Sequence, residues 1–311
     1  MNFESKAISL DIKENYRYKI TVNLFANEKL IDSYTDKITI HELLSTINQF
    51  IKLCHKYEIM DIIYAQFQKS FDNSDVGIIA TCNQIDNLQK IKLLYEEMNK
   101  EMNKEINKEM NNKIFGVKTR TSKILYLSDC HMFVDSILWC YNMESFVQIH
   151  KEANDYIKRN VSEWIKKTNC VKYFGLGGEA LYFSQENEFK NVTVVTNCKG
   201  IYELNLYNTT RLNKLVDNKL VDYQKLTNLN GDRETMLLIN ISRNGLGHLA
   251  NIINNFSEII YIGCCTDIIK KDMEILSKKY KVINYQIIQT YPPPTKYMSY
   301  IIQMKLKVEI I

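Results

Sequence analysis

No apolar run in this chain approaches the length needed to cross a membrane. Its first residues, MNFESKAISLDIKENYRYK, also lack the apolar core of a secretory signal. The expected location is therefore the cytoplasm or another reducing intracellular compartment, neither secreted nor in a membrane. No two cysteines form a C-x-x-C pair, so a zinc ribbon or knuckle has no support. Cys54 beside His55 and Cys130 beside His131 have poor chelate spacing on a helix or a strand, and they read as packing residues. No metal is expected. Eight cysteines spread over 311 residues do not make a disulfide framework either. The three prolines stand together at 292–294, barely one polyproline turn, which reads as a rigid lead-in to a strand rather than a partner-binding motif. Strong charge is lacking too: a net charge of +4 permits an anionic partner such as RNA without demanding one.

What is there suits a soluble globular protein, at 45% hydrophobic and 24% charged residues, and the length allows two domains. EEMNKEMNKEINKEMNNK (96–113) repeats every four residues, with Glu three before Lys and helix formers everywhere but Asn. It reads as a solvated helical extension or insertion; its drifting apolar stripe is not a heptad. Before it, YRYKITVNLFA (16–26) and DVGIIAT (75–81) read as strands and HELLSTINQFIKLCHKY (41–57) as an amphipathic helix. After it, GVKTR and KILYL read as a strand pair. This part is mixed α+β, without an obvious catalytic constellation.

From about residue 145 the texture changes. A helix over 152–167 leads into apolar strand candidates at 170–174, 191–196, 235–240 and 258–264. Helices fit between them near 199–208, 248–254 and 267–279. Such alternation predicts a doubly wound, mostly parallel sheet whose ligands gather at the carboxyl ends of the strands. The first strand ends in YFGLGGEAL (173–181), where Gly175, Gly177 and Gly178 allow a ligand to approach the backbone closely. The last one runs into YIGCCTDIIKKD (261–272). Taken alone, its adjacent cysteines read as small core residues at a strand end.

Several segments, in order, resemble the RNA uracil-5-methyltransferases, the tRNA enzyme in particular, which use S-adenosylmethionine. IIYIGCCTDIIKKDMEILSKKYKV (259–282) lies without gaps on that family's strand, nucleophile loop and helix. SFVQIHKEANDYIKRNVSEWI (145–165) is similar to its entry segment and YFGLGG to its glycine loop. TNCKGIYELNLYN (196–208) is similar to its second-strand turn and helix, and INISRNGL (239–246) to its Asp-Pro-Pro-Arg-x-Gly-Leu loop. The resemblance implies a Rossmann-like class I methyltransferase domain over 141–311. It also implies a smaller α+β, RNA-binding-like domain over 1–140, with the helical insertion near 96–113. S-adenosylmethionine would be the cofactor and RNA, tRNA in particular, the partner.

By the same resemblance, Cys264 stands at the nucleophile. Gln148, Gly175 and Gly177 stand at cofactor contacts, and Arg243, Gly245 and Leu246 keep the second half of the Asp-Pro-Pro-Arg loop. In that chemistry a cysteine thiolate adds to C6 of uracil and makes C5 nucleophilic, and a general base later removes the C5 proton. The target base must leave its stack to reach the pocket. Other positions depart from the pattern. Asn240 replaces the uracil-binding aspartate and Thr196 the ribose-binding acid. Cys265 and Thr266 replace the Asn-Pro after the nucleophile. In TYPPPTKYMSY (290–300) Met298 stands where the family has its general-base Glu, with Ser299 next to it. Losing such a base costs on the order of 100 to 10,000-fold. Losing an ionic ribose contact costs roughly 1.5–3 kcal/mol. The expectation is a uracil-5-methyltransferase-like protein with impaired activity. The alternative is a pseudoenzyme that serves as an RNA-binding or scaffolding subunit, beside an active partner protein.

Overall fold

A computed structural model describes residues 7–8, 18–26, 29–37, 39–70, 76–82, 88–105, 113–119, 124–127, 133–136, 139–141, 151–241, 244–288 and 297–307. These fall into two compact units. The chain's first strand, β1 (Ala7–Ile8), belongs to the larger of them.

The smaller unit runs β2 (Lys19–Asn23), β3 (Phe25–Ala26), β4 (Lys29–Leu30), α1 (His41–Lys56), β5 (Ile62–Lys69) and β6 (Val76–Cys82). It continues with α2 (Leu88–Glu105), β7 (Lys113–Thr119), β8 (Ile124–Leu127), β9 (Phe133–Ser136) and β10 (Trp139–Tyr141). Five strands form one sheet in the order β2-β5-β6-β7-β8, antiparallel except for β6 and β7. Those two parallel strands are joined through α2, as a parallel pair requires a crossover. Leu43, Ile47 and Phe50 of α1 are buried with Phe67 of β5 and Ile78 of β6. From α2, Ile91, Leu94, Tyr95 and Met98 join the same core at helical spacing. The four-residue repeat is therefore only partly a solvated extension. Met98 is fully buried, Glu97 pairs with Lys56 at 2.7 Å, and Lys113 already opens β7. Residues 106–112 of the repeat lie outside the described residues.

The larger unit continues from α3 (Lys151–Lys166) through β11 (Lys172–Gly177), α4 (Ala180–Phe183), β12 (Asn191–Thr196), α5 (Lys199–Arg211), β13 (Asp217–Leu220), β14 (Leu229–Asn230) and β15 (Thr235–Asn240). Then follow α6 (Leu249–Ile252), β16 (Ile253–Asn254), β17 (Glu258–Cys265), α7 (Thr266–Leu276), β18 (Tyr280–Ile288) and β19 (Tyr297–Leu306). Eight strands form one sheet, β1-β18-β19-β17-β15-β11-β12-β13, in which only β19 runs against its neighbours. The residues explain the placing. TMLLIN of β15 is buried at every position, as a central parallel strand covered on both faces must be. DNKL of β13 is largely exposed and closes one edge. Strand order reverses between β11 and β15, so a crevice opens beyond their carboxyl ends.

The predicted mostly parallel α/β sheet is what the chain forms. β12 and β15 have the expected bounds, and β11 runs on through Gly177. The helix expected near 248–254 is shorter. Only Leu249–Ile252 is helical, and Ile253–Asn254 instead pairs in parallel with Leu229–Asn230.

Candidate functional site

The carboxyl ends of β11, β12, β15 and β17 meet along one edge of the sheet. Gly177 lies opposite Asn240 in the β11–β15 ladder, and Asn240 lies opposite Ile262 in the β15–β17 ladder. Gly177 has φ +99°, and a Cβ there would sit 1.9 Å from the Asn240 carbonyl oxygen. No side chain can occupy that position without moving the neighbouring strand end. The Gly178 N–H donates to the same Asn240 carbonyl at 3.2 Å and holds the turn against β15. Gly175 is closely packed: a Cβ would lie 2.7 Å from that of Ala180, which opens α4. The Tyr173 hydroxyl donates to the Ala180 carbonyl and closes the turn from below.

Asn240 is buried, and its side-chain Nδ2 donates to Glu179 Oε2 at 3.0 Å. The sequence reading missed Glu179, since it and Asn240 are 61 residues apart and no local pattern couples them. Thr196, at the end of β12, is buried, and its hydroxyl accepts from the Cys198 N–H at 3.2 Å. Tyr223 was also missed. Its hydroxyl donates to the Val195 carbonyl at 3.1 Å and also interacts with the Thr196 side chain and the backbone of Asn197 and Gly177. Burial pushes this phenol far up, so it stays a neutral donor. It fills space between the ends of β11 and β12.

Cys264 is partly exposed near the end of β17. The ladder with β19 shifts between Gly263, which faces Tyr300, and Cys265, which faces Tyr297, so Cys264 stands opposite a bulge made by Met298 and Ser299 of β19. Cys265 then caps α7, whose N-terminal dipole favours negative charge nearby. Thr266, the first residue of α7, shares a 2.6 Å hydrogen bond with the Tyr300 hydroxyl. Met298 packs partly buried against the apolar core, and Ser299 is 1% exposed. Behind the bulge, buried Asp272 accepts from the Leu246 N–H at 2.9 Å and the Tyr261 hydroxyl at 2.5 Å. Gly245, with φ +70°, makes room: a Cβ would lie 2.6 Å from an Asp272 oxygen. The loop after β15, the end of β17 and α7 are thereby tied to one carboxylate.

Of the predicted site residues, Gly175, Gly177, Thr196, Asn240 and Cys264 all lie at or near this edge. Gln148 and Arg243 lie outside the described residues, as do Cys130 and His131. Cys54 and Cys82, by contrast, are buried. Burial pushes the Cys54 thiol up to about 12 and the Cys82 thiol up to about 11, as expected of packing residues. Among the described residues no three metal-ligating side chains come together, and no helix is long and apolar enough to cross a membrane. A shallow groove of about 200 Å³ lies at the opposite, amino end of the strands, lined by Lys172, Asn191, Asp232 and Thr235. Its Lys172–Asp232 pair, at 2.7 Å, is a surface contact away from the edge described above.

No family model and no curated protein matches the sequence. Among solved structures, the tRNA (uracil-54, C5)-methyltransferase of Pyrococcus abyssi, in complex with S-adenosyl-L-homocysteine, is similar over 96% of this chain and 78% of its own, with a TM-score of 0.68 and 13% identity. The tRNA m1G37 methyltransferase of M. jannaschii is similar over 93% and 99%, with a TM-score of 0.48 and 13% identity. Trm5b from Pyrococcus abyssi covers 74% and 73%, with a TM-score of 0.48 and 11% identity. The large unit thus has the Rossmann-like fold of the S-adenosylmethionine-dependent methyltransferases.

Proposed function

We propose that this protein is an RNA uracil-5-methyltransferase-like protein, acting on tRNA or a similar RNA through a cysteine adduct, with impaired turnover. The observation that carries the reading is Cys264, partly exposed opposite the β19 bulge at the same sheet edge as Gly177 and Asn240. The P. abyssi structure, similar along nearly the whole chain, is of a tRNA uracil-C5 enzyme. The Gly177 turn is packed against the Asn240 carbonyl without a side chain, and a glycine turn at a strand end is a place where a nucleotide-like cofactor would approach the backbone. Gly175, Gly177, Thr196 and Gln148 would hold S-adenosylmethionine, which supplies a methyl group when bound.

In this reading the Cys264 thiolate forms a bond to C6 of a uracil, and the electron pair of the C5–C6 double bond moves onto C5 and O4. Asn240 holds the edge of the base. After methylation, loss of the C5 proton must drive elimination of the cysteine. Met298 cannot take that proton, and the Ser299 hydroxyl is buried. Elimination is therefore the slow step, slowed on the order of 100 to 10,000-fold. The test uses RNA carrying 5-fluorouridine, together with calorimetry of S-adenosylmethionine. Wild-type protein is expected to form a covalent adduct that disappears in Cys264→Ala. Absence of both adduct and cofactor binding refutes the reading.

A second reading rests on Tyr223, whose hydroxyl uses the Val195 carbonyl and the Thr196 side chain at the end of β12. A group held there competes with a cofactor's ribose. The fold would then serve as a pseudoenzyme, an RNA-binding or scaffolding subunit beside an active partner.

A further inference from the structure

Asn240 presents an amide, and an amide has two faces: the nitrogen donates and the oxygen accepts. Which face meets a ligand decides what the ligand must be, and at a strand end nothing local settles it. Here a carboxylate settles it. Glu179 Oε2 lies 3.0 Å from Asn240 Nδ2, and an ionised carboxylate offers only acceptors, so the nitrogen must face it. The backbone of Asn240 is fixed as well, through the Gly178 N–H at 3.2 Å and the side-chain-free approach of Gly177. The amide oxygen accepts no hydrogen bond within the described residues, yet it is not among their buried unpartnered atoms. It is left as an oriented acceptor with no partner among the described residues.

We propose that Glu179 is a positioning residue that locks the Asn240 amide with its oxygen outward, so that the pair selects a base bearing an N–H donor. The inference rests on the reading above that Asn240 meets the target base. A lone asparagine can flip to suit a ring nitrogen that accepts as easily as one that donates. Paired with Glu179 it cannot, because flipping sets two acceptors against each other. Uracil presents its N3–H to the outward oxygen. Cytosine presents a lone pair at N3 and leaves a buried polar contact unmade, which a site of this kind rejects. The neutral amide thus acts as an acceptor-only group, and the charge that makes it so stands one residue further back.

The experiment measures fluorescence anisotropy of an oligoadenylate carrying one central uridine, against the same strand with cytidine there. The 5-fluorouridine strand reports the Cys264 adduct in parallel. Wild-type protein is expected to prefer uridine by about tenfold, the worth of one well-made hydrogen bond. Glu179→Gln lets the amide turn, and the preference falls to about twofold or less at an unchanged melting temperature. The double variant Glu179→Gln, Asn240→Asp reverses donor and acceptor within the pair, keeps an acceptor outward, and restores the preference. Should Glu179→Gln not fold, Asn240→Ala must abolish the preference and the double variant must keep it. Undiminished preference in folded Glu179→Gln overturns the inference. So does equal binding of both strands by wild type that still forms the adduct, and the function proposed above then survives. Failure of wild type to bind RNA or form the adduct overturns both.

Discussion

At the scale of single residues, the glycines at the sheet edge are held in place by their neighbours. Gly177→Ala combines a φ of +99° with a Cβ 1.9 Å from the Asn240 carbonyl oxygen. It is expected to cost about 2–4 kcal/mol. Gly247→Ala is the comparison: φ is +54°, but nothing lies within 4 Å of the added carbon. Only the left-handed backbone is penalised there, at about 1 kcal/mol. Urea midpoints of the two variants check this, and equal losses would remove the role given to Gly177. The sequence foretells the glycine, since a Gly-x-Gly turn after a strand has a local signature. It does not foretell Glu179 or Tyr223. Each acquires its role from a partner on another strand end, Asn240 for one and Val195 for the other. Likewise the sequence places a methionine at 298 but does not foretell that it packs against the core.

At the scale of elements, hydrophobic pattern decides what is legible. β12 and β15 are read to the residue because NVTVVT and TMLLIN are short apolar runs between polar turns. β13 and β18 escape notice for opposite reasons. DNKL has almost no apolar content and is a strand only by virtue of pairing with β12. YKVINYQII breaks its alternation where its register against β19 shifts between Val282 and Asn284. The site's own elements are held by Asp272, which joins the loop after β15 to α7 and to Tyr261 of β17. Asp272→Ala leaves two buried donors unpaired and is expected to cost about 2–4 kcal/mol, against about 1 kcal/mol for Tyr261→Phe. The double variant should lose less than the sum, because both single changes break the same contact. Strict additivity in urea unfolding would mean that the carboxylate does not couple these elements.

At the scale of the whole molecule, a net charge of +4 gives a modest pull on polyanions. If RNA is the partner, retention on an RNA column at low salt should weaken steadily as salt rises, since phosphate contacts release counterions. Retention that ignores salt would exclude a backbone-contacting RNA interface. The described chain divides into a small α+β unit and a mostly parallel one. What local reading misses is the reach of the chain's start. Ala7 and Ile8 pair in parallel with Ile287 and Ile288, and they complete the outer edge of the large sheet. This sets an order on the ribosome. β1 is made well before its partner β18, about 280 residues further on, so β1 has no strand to join until β18 has been made. Until then the edge of β18 does not exist; once β18 and β19 emerge, it stays open as a template for other chains until β1 returns to cover it.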